Sequence, residues 1–211
     1  MSVALSWCAV RSLYKWLLIA LSSPLLIAYA LTDERANIDA DAERWSEIIG
    51  EGKKGAAAVI EQLASKREYR NLYYYRLKQG NLIGEVLGRF YPFFWPGEPT
   101  LFIWADSIGP GLFIQHGFAT VIAAESLGEN CWVNQQVTIG FKASLGENGK
   151  TSARPVLGSN VYVLAGAKVI GGIKLGDNSV VGANAVVVKD VPEGMTAIGV
   201  PATYRPRGNN V

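Results

Sequence analysis

The sequence predicts a mainly β fold, a parallel β-helix occupying the second half of the chain behind an amino-terminal α-helical cap. Three observations predict it. Apolar anchors recur at a spacing of six, at Ile108 and Ile114, then after one extra residue at Leu127, Val133 and Ile139, and again at Leu157, Val163, Val169, Leu175, Val181 and Val187. A glycine follows directly at Gly109, Gly128, Gly140, Gly158, Gly176 and Gly182. Four places after each anchor a second residue repeats in step: Leu112, Phe118, Cys131, Val137, Val161, Ala167, Ile173, Ser179, Ala185 and Val191. An α-helix would scatter a period of six around its axis. Short strands joined by tight corners keep it on one inner face, with Gly or Asn turning the corner. Coils of this kind bury themselves against one another in a solenoid.

Composition narrows the function. The chain has 211 residues, 49% hydrophobic, with a net charge of +2, enough for one or two domains with a real core. So small a charge, with no basic run interleaved with stacking aromatics, argues against nucleic acid as a partner. Two cysteines, Cys8 and Cys131, make no disulfide framework. Cys131 falls on an inward position, where a small buried hydrophobe is a better reading than a reactive thiol.

In chain order, residues 1–31 form an apolar helical segment. Residues 16–31 read WLLIALSSPLLIAYAL without a charge, behind Arg11 and Lys15. Three readings stand: a signal peptide with Ala28-Tyr29-Ala30 as cleavage site, a spanning helix that is barely long enough and kinked at Pro24, or a helix or hairpin lying in a membrane interface or packed on protein. Residues 32–100 form the helical cap and connector. After a charged break at 32–35, Asn37 is placed to cap a helix with Ile38, Ala42, Trp45 and Ile48/Ile49 on one face. Gly-Glu-Gly-Lys-Lys-Gly at 50–55 is a turn. A second helix is expected from Ala56 to about Leu77, ending in a basic face of Lys66, Arg67, Arg70 and Arg76. The run Tyr73-Tyr74-Tyr75 beside it reads as core with a solvated rim, or as a contact for a headgroup or substrate. From Leu82 to Pro96 the prolines Pro92 and Pro96, with Pro99 beyond, predict an extended connector.

Residues 101–205 are the coil domain and 206–211 a tail. The count of six stops after Gly140 and resumes at Leu157, so residues 141–156, with Gly146, Asn148, Gly149, Lys150 and Arg154, form a long loop suited to binding or catalysis. The last coils end near Val191. His116 is the single histidine, two residues after an inward anchor and therefore outward on an early coil. Acyl transfer from a thioester to a hydroxyl needs a base that works near neutrality, and imidazole is one. Backbone N–H groups at glycine-rich corners are suited to the oxyanion. A packed structural histidine is the alternative. A lone histidine cannot complete a zinc site, so no metal is expected.

The stretch Ile108-Gly-Pro-Gly-Leu-Phe-Ile-Gln-His116-Gly-Phe-Ala-Thr120, followed by Val133-Asn-Gln-Gln-Val-Thr-Ile-Gly140, resembles the hexapeptide-repeat acetyltransferases, specifically the catalytic coils of serine acetyltransferases and polysaccharide O-acetyltransferases. The resemblance covers about half the chain. It implies a left-handed winding, against the usual crossover hand, and a homotrimer. It makes acetyl-CoA the donor, transferred directly without a covalent enzyme intermediate, and His116 the general base. Cofactor contacts are implied at Gly140, Ala165, Gly166, Ala167, Lys168, Gly182 and Ala183, with Lys168, Arg205 and Arg207 as candidates for its phosphates. Gln135 and Arg154 are candidates for acceptor binding. The pattern departs in two places. Leu101 stands where serine acetyltransferases carry the aspartate that orients the base, leaving Asp106 or Glu125 for that task. Ser152-Ala153-Arg154-Pro155 replaces their Asp-Arg-His-Pro. These departures point to a sugar hydroxyl of a surface polysaccharide or glycan precursor as acceptor, with L-serine as the alternative small-molecule acceptor and a non-catalytic scaffold as a third reading. The donor implies a cytoplasmic protein, attached to the membrane if residues 12–31 lie on it.

Overall fold

The computed structural model describes residues 2–141 and 153–206. The chain divides into two compact units, Met1–Gly97 and Glu98–Val211.

The first unit is helical. Helix α1 (Ser2–Ser22) and helix α2 (Leu25–Leu31) are separated at Ser23-Pro24, with a bend of 50° between them. Proline cannot extend the hydrogen-bond ladder of the preceding turn, which explains the break. Helix α3 (Arg35–Ile48) begins ahead of Asn37, so Asn37 is not its cap; the Asn37 amide instead donates to the Glu34 carboxylate at 2.8 Å. The single helix expected over 56–77 is two, α4 (Gly55–Ser65) and α5 (Arg67–Gln79), parted by an extended Lys66. Arg70 stabilises the break by donating from Nε to the Leu63 carbonyl at 2.6 Å and from Nη2 to the Ala64 carbonyl at 3.2 Å, which satisfies the end of α4.

The tyrosine run is core. The Tyr73 hydroxyl donates to the Leu25 carbonyl and the Tyr74 hydroxyl to the Trp95 carbonyl, each at 2.6 Å, and burial pushes both phenols up. Arg76, expected on a solvated basic face, is buried against Asp41, with Nε–Oδ2 at 2.8 Å and Nη2–Oδ1 at 3.2 Å. Burial alone would lower its pKa, but the Asp41 carboxylate outweighs that and holds the guanidinium above its ordinary value. The connector expected over 82–96 contains a helix, α6 (Leu82–Phe90), and a 3-10 turn, Tyr91–Phe93. Asn81 caps α6 by accepting from the Gly84 N–H at 2.9 Å, and the helix ends ahead of Pro92. A Cβ on Gly88 would lie 2.9 Å from the Leu77 Cβ, so glycine is what lets α6 approach α5.

The second unit is a parallel β-solenoid of three faces. The first face stacks Leu101–Ile103, Thr120–Ile122, Thr138–Gly140, Lys168–Ile170 and Val186–Val187. The second stacks Ser107–Ile108, Ser126–Leu127, Val156–Leu157 and Lys174–Leu175, extended by a bridge to Val191. The third stacks Phe113–Gln115, Trp132–Asn134, Tyr162–Val163, Val180–Val181 and Met195–Gly199. The predicted anchors form inward columns in register: Ile108, Leu127, Leu157 and Leu175 on the second face, and Ile114, Val133, Val163 and Val181 on the third. All are buried, and this continuous column is the apolar core. Asn130, Asn160 and Asn178 turn corners at φ near +57°, a conformation that asparagine tolerates.

Two details differ from the repeat as counted. The first-face column runs through Ile122 before Ile139, Val169 and Val187, whereas Phe118 is exposed. The coils also continue past Val191, through Met195–Gly199, and close with Ala202–Pro206 paired antiparallel to it. Most of the predicted loop, including Gly146, Asn148, Gly149, Lys150 and Ser152, lies outside the described residues, as does Arg207.

Candidate active site

His116 stands at the corner where the third face passes into the first, at φ +55°. Register shows why this corner is unusual. Gln115 pairs with Asn134 and Val121 with Thr138, so five residues turn this corner where three turn the next. At the following corner the chain has one residue fewer, three between Ile122 and Ser126 against four between Val169 and Lys174. The single extra residue in the sequence count is thus two inserted around His116 and one removed beyond it. The insertion pushes His116, Phe118 and Ala119 to the surface.

The corner backbone is nevertheless fixed. The Ala119 N–H donates to Thr100 Oγ1 at 2.8 Å, and the Thr120 N–H to the Thr100 carbonyl at 3.0 Å. The Phe118 carbonyl accepts from the Gln136 N–H at 3.0 Å, and the buried Thr120 hydroxyl donates to the same carbonyl at 3.1 Å. An exposed imidazole on an anchored backbone is suited to meeting an external substrate, and unsuited to packing.

Above His116 the same edge repeats at Gln135-Gln136, Ala165-Gly166 and Ala183-Asn184. Backbone bonds link it coil to coil: Gly166 N–H to the Gln135 carbonyl at 3.0 Å and Asn184 N–H to the Ala165 carbonyl at 2.9 Å. Gly166 has φ +73°, and a Cβ there would lie 2.0 Å from Asn184 Oδ1, so only glycine keeps this edge open. Gln135 Oε1 is buried with no hydrogen-bond partner among the described residues. Lys168 Nζ donates to the Gln136 carbonyl at 2.5 Å, which holds the ammonium against the edge. Seven residues singled out in the sequence therefore share one edge or adjoin it: His116, Gln135, Ala165, Gly166, Lys168, Gly182 and Ala183.

Others fall elsewhere. Gly140 ends its strand at the opposite side of the first face. Arg154 lies at that opposite corner, where its guanidinium pairs with the Asp106 carboxylate and donates to the Trp104 carbonyl at 3.1 Å. Asp106 and Glu125 both occupy this corner, separated from His116 by the strand Thr120–Ile122, which spans roughly 10 Å. Within one chain, then, neither carboxylate is placed to orient His116, and no hydrogen bond joins it to a carboxylate among the described residues. Leu101 points into the core. Arg205 is exposed on the closing strand. Among the described residues no three His, Cys, Asp or Glu side chains gather to hold a metal. Of the residues that shape the His116 corner, Thr100 is not singled out by the sequence and Phe118 appears there only as a repeat position; the extra residue in the repeat count is the signal for both.

Comparison with known proteins places this geometry. The family of bacterial transferase hexapeptide repeats (six repeats) matches residues 154–189. Serine acetyltransferase from Helicobacter pylori is 47% identical over 97 residues, 45% of this chain and 54% of that protein. Serine acetyltransferase from Staphylococcus aureus is 44% identical over 96 residues, 44% of this chain and 43% of that protein. The chain thus spans about half the length of these curated relatives. Among solved structures, serine acetyltransferase from Neisseria gonorrhoeae superposes with a TM-score of 0.66 over 87% of this chain and 70% of that one, at 24% identity, a likeness of fold. The chain resembles hexapeptide-repeat acetyltransferases of the serine acetyltransferase type.

Proposed function

We propose that this chain is an acetyl-CoA-dependent O-acetyltransferase with L-serine as acceptor. The observation that carries the reading is an exposed imidazole on an inserted, anchored corner, in a solenoid whose matched curated relatives are serine acetyltransferases at 43 to 47% identity. This shifts the acceptor from the sugar that the sequence alone put first, because the matched curated relatives are named for serine.

His116 takes the proton of the acceptor hydroxyl as its oxygen attacks the thioester carbonyl. The tetrahedral intermediate then expels the CoA thiolate, and the imidazolium returns the proton to sulfur, leaving an O-acetyl product and free CoA. Ala165, Gly166, Lys168, Gly182 and Ala183 are the proposed contacts along the cofactor's path, mostly through backbone groups, and Gln135 is a proposed contact for the acceptor. Gly140 and Arg154, on the opposite corner, belong to this site only if a neighbouring subunit supplies them. That is the arrangement a homotrimer provides, since a heterologous interface closes under a threefold axis. Sedimentation of a monomer at micromolar concentration would contradict it.

A sugar acceptor is the second reading. Leu101 is buried and apolar where serine acetyltransferases carry an orienting carboxylate, and Arg154 is committed to Asp106. The deciding experiment compares kcat/KM for L-serine with nucleotide-linked and lipid-linked sugars, following CoA thiol release. A hundredfold preference for a sugar would overturn the serine assignment and leave acetyl transfer standing. The donor makes a cytoplasmic location part of the proposal, with attachment to the membrane's cytoplasmic face through residues 12–31.

A further inference from the structure

Helix α6 is packed inside out. Its small residues Gly84 and Gly88 are buried, whereas Leu82 is 74% exposed and Ile83, Val86 and Phe90 are each more than half exposed. The following turn continues this stripe with Phe93, 84% exposed, and Phe94. An amphipathic helix normally turns its large apolar side chains to the core. With aromatic side chains of about 200 Å², Phe90, Phe93 and Phe94 alone present on the order of 400 Å² of apolar surface, near the upper range for a soluble monomer.

Helices α1 and α2 extend the patch. The Asn81 amide donates to the Leu31 carbonyl at 2.8 Å, the Tyr91 hydroxyl to the Pro24 carbonyl at 3.0 Å, and Trp95 Nε1 to the Leu21 carbonyl at 3.0 Å. These bonds fix α6 and its turn beside the bent pair. There Leu13, Trp16, Leu17, Leu21, Ile27 and Leu31 are also exposed.

Charge identifies the occupant. Residues 12–31 contain one charged side chain, Lys15, and residues 82–96 contain two, Glu85 and Arg89. Lys15 is paired with Glu61 and lies 3.5 Å from Glu51; Arg89 is paired with Glu85 at 2.6 Å. Each charge in the two segments is therefore paired within the chain, and the apolar surface around them is edged by Tyr14 and Trp16, residue types that favour the headgroup boundary. By length and composition the bent pair Ser12–Ser22 and Leu25–Leu31 qualifies together as a membrane segment, while no single helix among the described residues is long and apolar enough to cross. About 20 residues must run straight to reach across a hydrocarbon core, and a 50° bend shortens this pair below that.

We propose that residues 12–22 of α1, with α2, α6 and the Tyr91–Phe93 turn, form one membrane-docking surface, which seats in the apolar boundary of a lipid bilayer without crossing it. The surface takes hydrocarbon and zwitterionic headgroups, and it requires no anionic lipid. This proposal deepens the membrane attachment proposed above and is independent of the acetyl-transfer reading.

Flotation of the full chain with phosphatidylcholine vesicles, with and without phosphatidylglycerol, tests it. The protein is expected to float with both. Phe93→Ser/Phe94→Ser and Val86→Ser/Phe90→Ser replace exposed side chains, so thermal unfolding followed by circular dichroism should be unchanged while vesicle affinity falls about tenfold to hundredfold. No flotation with either vesicle overturns the proposal, as does flotation that the substitutions leave intact or that needs the anionic lipid. Lipid-free sedimentation decides the rival occupant: an assembly of the wild type that these substitutions dissociate, without vesicle binding, assigns the patch to a second copy.

Discussion

Replacing His116 by Asn and by Ala separates a catalytic imidazole from a structural one, and the backbone sets what each variant does to stability. His116 has φ +55°, a left-handed conformation that Asn adopts readily and Ala resists by about 1 kcal/mol. The imidazole is exposed, so neither change opens a cavity. The corner's own bonds, from Ala119 and Thr120 to Thr100 and from Gln136 to Phe118, involve other residues. His116→Asn should therefore unfold in urea within about 0.5 kcal/mol of the wild type, and His116→Ala about 1 kcal/mol below it. Turnover, read as thiol release from acetyl-CoA, should fall by roughly a hundredfold to ten-thousandfold in both, the usual contribution of a general base. That corresponds to about 3–5 kcal/mol of barrier, several times the stability effect. Acetyl-CoA affinity by calorimetry should persist, because the proposed cofactor contacts lie on later coils. An Asn variant that turns over within a few-fold of the wild type would refute the assignment. So would one that loses 2 kcal/mol or more of stability while its turnover holds.

Four further outcomes follow from the structure. Asp41→Ala strands a buried guanidinium and should cost about 3–5 kcal/mol in urea unfolding, whereas Asp41→Leu with Arg76→Met should recover most of that, because the pair's desolvation is removed with it. Gly166→Ala, forced to φ +73° with its Cβ 2.0 Å from Asn184 Oδ1, should weaken acetyl-CoA binding at least about tenfold by calorimetry and destabilise by about 1–2 kcal/mol. Gly140→Ala, whose Cβ meets nothing nearer than 4.0 Å, should stay within about 0.5 kcal/mol of wild type. Burial alone would raise the Glu61 carboxyl, but Lys15 and Lys53 outweigh it and hold it below its ordinary value. A depressed folded pKa contributes stability above the unfolded value, so unfolding should become easier as pH drops below about 4.5, and Glu61→Gln should flatten that slope.

The solenoid was legible because its core is one-dimensional. Each coil repeats the same inward position, so Val133, Val163 and Val181 announce themselves by spacing alone. The spacing misassigned Phe118 because a count detects only the net of two insertions and one deletion, and register is needed to separate them. Met195–Gly199 and Ala202–Pro206 fall inside the coil domain but past the last counted anchor, because the closing strand runs antiparallel and carries no six-residue signal. The helical unit was read less well, since its decisive contacts are distant in sequence. Arg76 looks solvent-facing until Asp41, 35 residues earlier, is packed against it, and Lys66 breaks a helix that periodicity would continue because Arg70 caps the end. At the candidate site, the outward position of His116 was legible from its place two residues after Ile114. The placement of Asp106 with Arg154 on the opposite corner was not, because which corner a residue occupies depends on the register around the insertion.

Acetyl transfer itself is measured most directly by incubating the wild type and His116→Asn with acetyl-CoA and L-serine, then following thiol release together with the mass of the acceptor. The account predicts stoichiometric CoA and O-acetylserine from the wild type, with no acetylated enzyme accumulating, and a loss of both by at least about a hundredfold in the variant. Acetyl-CoA that stays intact with L-serine and with every sugar acceptor offered would contradict it.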